Sequence, residues 1–463
     1  MPVLSQPMES QWAAQSAPAE GAWQAPLEWE WHHLALFFGL HGGLGLAMHK
    51  LPALATIHAF FTIAAVIAVS LFTRRPALLF FCMCYVSGAE VLWRMSSAFV
   101  FSETAKYMIV LISAIGLVRL KGARLLPGPL LYLGLLLPSA VITYFTFRDF
   151  DFFRKAALFS LSGPMAIAAG ICFCANLRMR ASEFWRGVML MAMPLMGVAA
   201  VTLVSTYGRQ GVRFTTSANF ETSGGFGPNQ VASALALGAL MLGFGFLLSR
   251  GRPAVRALLL AVCFVQSMMT FSRGGVVSSG LALLAVSPLL ARGRRQRAAL
   301  LAGAGAVAVA APLVFSALND YTGGKLAKRF TETEMSGREE LIETDIAVWM
   351  ENPVFGVGPG ISRFYHRDLK ATHTEFSRAL AENGSLGALA YLVLGLVCLQ
   401  RLAGLLRSPA QPLRAVLVAG MIWAVLYMVV NANRTSGPAL AMSLAFLTVV
   451  QDRAAPAARE EPS

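Results

Sequence analysis

The sequence predicts an all-α polytopic membrane protein, and three observations carry that prediction. Apolar stretches long enough for a helix to cross a bilayer recur along nearly all of the 463 residues. Hydrophobic residues make up 56% and charged residues only 13%, whereas a soluble domain carries about 25% charged residues. Lys and Arg fall in short clusters between alternate apolar stretches, the asymmetry that marks cytoplasmic loops. The net charge of +14 is thus spread over loops, which argues against nucleic acid as a partner.

The elements follow in order. Residues 1–31 form a polar tail without Lys or Arg, so they lack the basic start of a signal peptide, and the first helix is expected to direct insertion. Helices are expected near 32–48, 52–72, 77–96, 105–118, 128–146, 158–176, 187–204, 229–249, 254–271, 275–290, 297–317, 384–405, 413–430 and 436–450. About 12–14 of these should span the membrane; His32, His33, His41 and His49 weaken the first. Clusters such as Arg74-Arg75, Arg119/Lys121/Arg124, Arg178/Arg180/Arg186 and Arg401/Arg407/Arg414 set the cytoplasmic side. The loop 147–157, with Arg148, Arg154 and Lys155, departs from that rule. Two long polar segments then fall on the outer, periplasmic side: 205–228 and 318–383. The expected organisation is a tail (1–31), an N-terminal bundle (32–317), a large, mainly helical periplasmic loop (318–383), C-terminal helices (384–450) and a cytoplasmic tail (451–463). All six cysteines lie in apolar stretches. The Cys82/Cys84 and Cys172/Cys174 pairs diverge on a helix, so packing suits them better than a metal.

The polar residues that suggest chemistry concentrate on the outer side. Ser336-x-x-Glu339 reads as a capping box, with Arg338 in the first turn of a helix that ends before Pro353. Gly356, Gly358 and Gly360 should follow as a tight loop. Thr372-x-x-Glu375 reads as a second capping box, which puts His373 at a helix start, where the helix dipole favours a neutral imidazole able to accept a proton. Arg209 and Arg213 precede the glycine-rich "NFETSGGFGPNQ", Arg273 sits in "TFSRGG", and Arg434 in "NANRTSG". An arginine in so short a lipid-edge turn wants an anionic partner, and a diphosphate would satisfy several at once. Gly384 and Gly387 are expected to let the last outer helix pack closely.

These stretches taken together resemble the O-antigen ligase and O-antigen polymerase superfamily of bacterial membrane glycosyltransferases. The resemblance rests on "SGREEL", "NPVFGVGPG" and "HTEFSRALAENGSLG" within the large loop, and on "TFSRGG" and "FGPNQVA" at membrane edges. It spans roughly residues 205–390. It implies transfer of a glycan from an undecaprenyl-diphosphate donor to an acceptor hydroxyl, without a cofactor or metal, at the inner membrane with the site facing the periplasm. The acceptor would be another glycan or lipid A-core, and a chain-length regulator is a conceivable partner. Carried onto this sequence, the resemblance makes His373 the catalytic base and Arg213 and Arg273 the diphosphate ligands, with Arg338 as a third contact. Arg434, Arg378, Glu382 and Arg94 are further candidates.

Other readings compete. His373 would otherwise be a polar interfacial cap, and Arg273 a snorkelling arginine. Arg209, Arg367 and Arg378 read as surface charges, although Arg378 is near His373 in sequence. His366 reads as a polar interface residue. Asp149-Phe150-Asp151 could hold a divalent ion in a metal-dependent transferase, but its basic and aromatic neighbours suggest an interfacial anchor. Glu90 and Arg94, four residues apart, can pair on one helical face. A flippase or exporter of lipid-linked glycans would distribute such charge through the membrane and show repeated halves. This sequence concentrates its unusual polar residues on one side and shows no internal repeat. A protein O-oligosaccharyltransferase remains the third alternative.

Overall fold

Proline sets the first turn of many helices in this chain, because its fixed φ suits a position whose N–H has no helical partner. A computed structural model describes residues 31–208, 210–248, 253–291, 294–331, 338–369, 372–407 and 413–450. The expected N-terminal tail, the C-terminal tail, Arg209 and Ser336 lie outside the described residues, apart from Trp31. The chain runs α1 (Trp31–Lys50), α2 (Pro52–Phe72), α3 (Pro76–Met95), α4 (Thr104–Arg119), α5 (Pro127–Leu136), α6 (Pro138–Phe147), α7 (Phe150–Ala175), β1 (Arg178–Arg180), α8 (Ala181–Tyr207) and α9 (Pro228–Leu248). It continues through α10 (Pro253–Met269), α11 (Arg273–Leu290), α12 (Arg294–Tyr321), α13 (Lys325–Thr331), α14 (Arg338–Glu351), α15 (Glu375–Arg407), α16 (Leu413–Asn431), α17 (Gly437–Leu444) and β2 (Thr448–Val450).

The fold is all-α and polytopic, as the sequence predicts. Among the described residues, 10 helices are long and apolar enough to cross a membrane. Several boundaries differ from expectation; α7 starts at Phe150, inside the expected loop 147–157, and α8 at Ala181, ahead of the expected 187. The stretch 128–146 breaks at Leu137–Pro138 into α5 and α6, because a proline starts a new helix there. The stretch 436–450 is helical only to Leu444, after which Thr448–Val450 pairs in parallel with Arg178–Arg180. Residues 375–383 join the helix expected from 384, with a non-helical break at Gly384.

The bundle core is built where small residues let backbones touch. A Cβ at Gly45 would lie 2.5 Å from the Cα of Gly197, and one at Gly88 would lie 2.1 Å from the Met191 carbonyl oxygen. Those contacts seat α1 and α3 on α8. At the other side of the site, a Cβ at Gly275 would lie 2.5 Å from the Ala232 carbonyl oxygen, so α11 meets α9 backbone to backbone. That contact fixes the start of α11, and with it Arg273. Phe271, just before it, takes a left-handed conformation with φ 58°.

Candidate functional site

His373 occupies a bend just before α15 rather than its first turn, which begins at Glu375. The expected capping box does not form, because both of its residues bond elsewhere. The Thr372 hydroxyl donates to Asp345 Oδ1 at 3.2 Å. The Glu375 carboxyl accepts from Arg378 Nη2 at 2.6 Å, from the Tyr391 hydroxyl at 2.5 Å and from the Asn433 backbone N–H at 2.9 Å. Glu375 therefore ties the head of α15 to the turn that carries Arg434. The imidazole is half-buried, and its Nδ1 finds no hydrogen-bond partner among the described residues. Its pKa is pushed down to about 3, first by burial and then by the positive charges of Arg434 and Arg338. Burial and the arginines, in place of the helix dipole expected from the sequence, are what disfavour its protonation.

A glycine-dependent stitch holds this bend in place. At Gly384 the chain takes φ 61° and ψ −151°, a conformation that only glycine adopts readily. The break frees backbone groups of α15, and the loop after α14 bonds them. Val357 and Gly358 N–H groups donate to the carbonyls of Ala381 and Glu382, both at 2.9 Å. In return Ser385 N–H donates to Pro353 at 2.8 Å and Leu386 N–H to Val354 at 3.3 Å. A Cβ at Gly384 would lie 2.5 Å from the Val354 carbonyl carbon. Gly384 thus serves a loop contact and a backbone break, not the packing of helices expected from the sequence. The loop itself turns as expected, with Gly356, Gly358 and Gly360 all at positive φ.

Two arginines from separate elements, Arg434 and Arg338, act on the His373 imidazole. Arg434, in the turn between α16 and α17, donates Nη2 to the Thr372 carbonyl at 3.1 Å. Arg338 opens α14 and, like Arg434, acts electrostatically on the imidazole. Burial, together with Arg329 and Arg273, lowers the Arg338 pKa. Burial also lowers that of Arg434, with Arg378, Arg94 and Arg338 acting in the same direction. Arg94 donates to the Arg434 carbonyl at 2.8 Å, lies 3.5 Å from Glu90, and sits over the Phe226 ring at 5.0 Å. Glu90 in turn accepts from the Ser436 N–H at 2.6 Å and its hydroxyl at 2.7 Å. The i,i+4 pair expected from the sequence forms, and it anchors the Arg434 turn.

Not every candidate joins the cluster. The Arg213 side chain is exposed, and its backbone is tied to Glu221 and Asn219. The structure does not bring it among the residues around His373. Arg378, read as a surface charge, is buried and bonded to Glu375, Glu382 and Ser160. Glu382 is buried too, accepting from Ser160 at 3.1 Å and Ser362 at 3.0 Å. Both stiffen α15 beneath the bend. His366 is not at an interface: it is buried and donates to Asp345 Oδ1 at 2.9 Å. Arg367 is exposed beside Glu340, as read.

Sequence reading missed Arg329 and Asp345. Arg329 is buried in α13 and donates Nε to the Phe271 carbonyl at 3.0 Å, which joins it to the Arg273 turn. Asp345 lies on α14, two turns after Arg338, with no motif around it. A signal did exist for Asp345: it is an acidic residue between apolar Ile342, Ile346 and Val348 on a short helix. At Asp149-Phe150-Asp151 both carboxyl groups bond locally. Asp149 caps α7 by accepting from the N–H groups of Asp151 and Phe152, and Asp151 pairs with Arg154 at 3.3 Å.

A bundle of apolar helices with a histidine and several arginines near one another outside the spans defines a class: all-α multi-pass membrane proteins. The comparison with known proteins narrows it. Residues 257–392 match the family model described as O-antigen ligase, so this region is similar to the O-antigen ligase superfamily. The match takes in less than a third of the chain but includes Arg273, Arg329, Arg338, Asp345, His373 and Glu382. No curated protein matches the chain. The match supports a glycosyltransferase-like role in polysaccharide assembly at a membrane.

Proposed function

We propose that this chain transfers a glycan from an undecaprenyl-diphosphate donor to an acceptor hydroxyl at the outer face of the bacterial inner membrane. One observation carries the reading: a neutral imidazole with an unpartnered Nδ1, flanked by Arg434 and Arg338. The diphosphate lies against Arg273, Arg338 and Arg434, with Arg329 beside Arg273 and Arg338. The acceptor hydroxyl attacks the anomeric carbon as its proton passes to His373. The bond from that carbon to the diphosphate oxygen breaks in the same step, and the configuration inverts. The leaving group departs with its charge balanced by the arginines, so neither nucleotide sugar nor metal is required.

The donor also tunes the base. Bound phosphates offset the field of Arg434 and Arg338, which raises the imidazole pKa and its proton affinity just when the donor is in place. A free enzyme would hold a weak base, and a donor-loaded enzyme a stronger one.

The acceptor is either the growing glycan of a second lipid-linked donor or lipid A-core. The test is His373→Ala in a host whose surface polysaccharide depends on this protein. Polysaccharide output should fall by about 100-fold or more, the usual share of a general base. Output of normal length and attachment would overturn the assignment.

A further inference from the structure

Asp345 is fully buried, at 0% exposure, on a helix outside the membrane-spanning set. A buried carboxyl group needs donors, and here three come from three separate places. His366 Nε2 and the Thr372 hydroxyl donate to Oδ1 at 2.9 and 3.2 Å, and the Ser377 hydroxyl donates to Oδ2 at 2.7 Å. Two of these donors, Thr372 and Ser377, bracket His373. Thr372 is also held from its other side, because its carbonyl accepts from Arg434. The residue before the histidine is thus clamped between Asp345 and Arg434. The backbone there has little freedom left, and the direction of the imidazole follows from it.

We propose that Asp345 is the positioning residue for His373, aiming the imidazole by fixing Thr372 and Ser377 to α14. The inference rests on the reading of His373 as the base. It assigns Asp345 no contact with substrate. A base displaced by about 1 Å can cost on the order of 100-fold in rate without any change in substrate affinity. Loss of Asp345 should therefore slow transfer and spare diphosphate binding. An Asn at this position keeps one acceptor for His366 and Thr372, and its amide can donate to Ser377.

The test uses the full-length chain, both in a host that depends on it and purified in detergent. Asp345→Ala should lower polysaccharide output by about 10- to 100-fold. The Kd for undecaprenyl diphosphate, used as the binding probe, should stay within about twofold of wild type. Asp345→Asn should restore most of the output. Thr372→Val removes the same hydroxyl from the other end and keeps the backbone carbonyl for Arg434. It should also lower output, and the double variant should cost no more than Asp345→Ala alone. Unchanged output in Asp345→Ala, additive costs in the double variant, or a Kd weakened as much as output would each overturn the proposal. If His373→Ala keeps its output, the base reading falls by itself. The clamp is then judged by amide exchange over residues 372–378, faster in Asp345→Ala if it holds that stretch and unchanged if it does not.

Discussion

At the residue scale, His373 shows how position sets basicity. Its pKa of about 3 lies below the ordinary 6.5, so the proton-accepting form persists far into acid. The expected outcome is that kcat/KM for the donor, which reports the free enzyme, does not fall between pH 8 and pH 5 through protonation of this residue. By contrast, kcat reports the higher pKa of the donor-loaded enzyme, as pH profiles in isolated membranes at limiting and saturating donor would show. Stability follows the same sign. The folded state binds this proton less readily than the unfolded chain, so the contribution is complete above 6.5 and is lost as pH falls towards 3. Removing one of the nearby charges with Arg434→Gln should raise the pKa, read as the shift of the imidazole ring resonances with pH. Arg273 tests the anion side. Arg273→Lys keeps the charge but loses the fork geometry, and output should drop by about tenfold, a part of the loss from full removal of such a donor. Full activity in that variant would count against a two-point contact with a diphosphate.

At the element scale, the decisive structure is the break in α15. A continuous helix would satisfy its own backbone and leave the 353–358 loop without partners. The Gly384 break exchanges those bonds between helix and loop, so α14, its loop and the head of α15 form one unit around His373. Gly384→Ala forces a Cβ into the Val354 carbonyl at a backbone conformation that alanine resists. It should cost about 1–3 kcal/mol in stability. The thermal unfolding midpoint in detergent should fall, together with polysaccharide output. An unchanged midpoint would mean that the loop can move aside and that the stitch matters little.

At the scale of the whole molecule, the pocket depends on contacts between distant parts of the chain. Glu90 on α3 holds Ser436 and Arg94, and Arg94 holds the Arg434 carbonyl, so the N-terminal helices position a C-terminal arginine. Glu90→Ala leaves the half-buried Arg94 without its acidic partner and the Ser436 N–H and hydroxyl without their acceptor. The expected outcome is a lower unfolding midpoint and a loss of output even though Glu90 is placed outside the diphosphate contacts. Glu90→Gln should be milder, because an amide oxygen can still accept from Ser436. Equal effects of both substitutions on the midpoint would mean that the ionic pairing with Arg94, more than the bonds to Ser436, is what the site needs.

The sequence by itself determined the membrane class, because hydrophobic length is a local property that lipid reads without reference to fold. It also determined which short motifs matter, since "TFSRGG", "NPVFGVGPG" and the stretch around His373 each carry glycines, arginines or a histidine where lipid-edge backbone would otherwise avoid them. The end of α14 before Pro353 and the tight glycine loop were legible for the same local reason. Only the tertiary structure decided which arginines act on one another. Arg94, Arg273, Arg329, Arg338 and Arg434 come from helix ends far apart in sequence, and no spacing rule connects them. The apparent capping box at Thr372 failed because two stronger partners compete for its residues: Asp345 for the hydroxyl, and Arg378, Tyr391 and Asn433 for the carboxyl. Arg378 and His366 read as surface groups because a sequence does not show the buried acids that will meet them. Burial and charge pairing are long-range properties that no local spacing reveals.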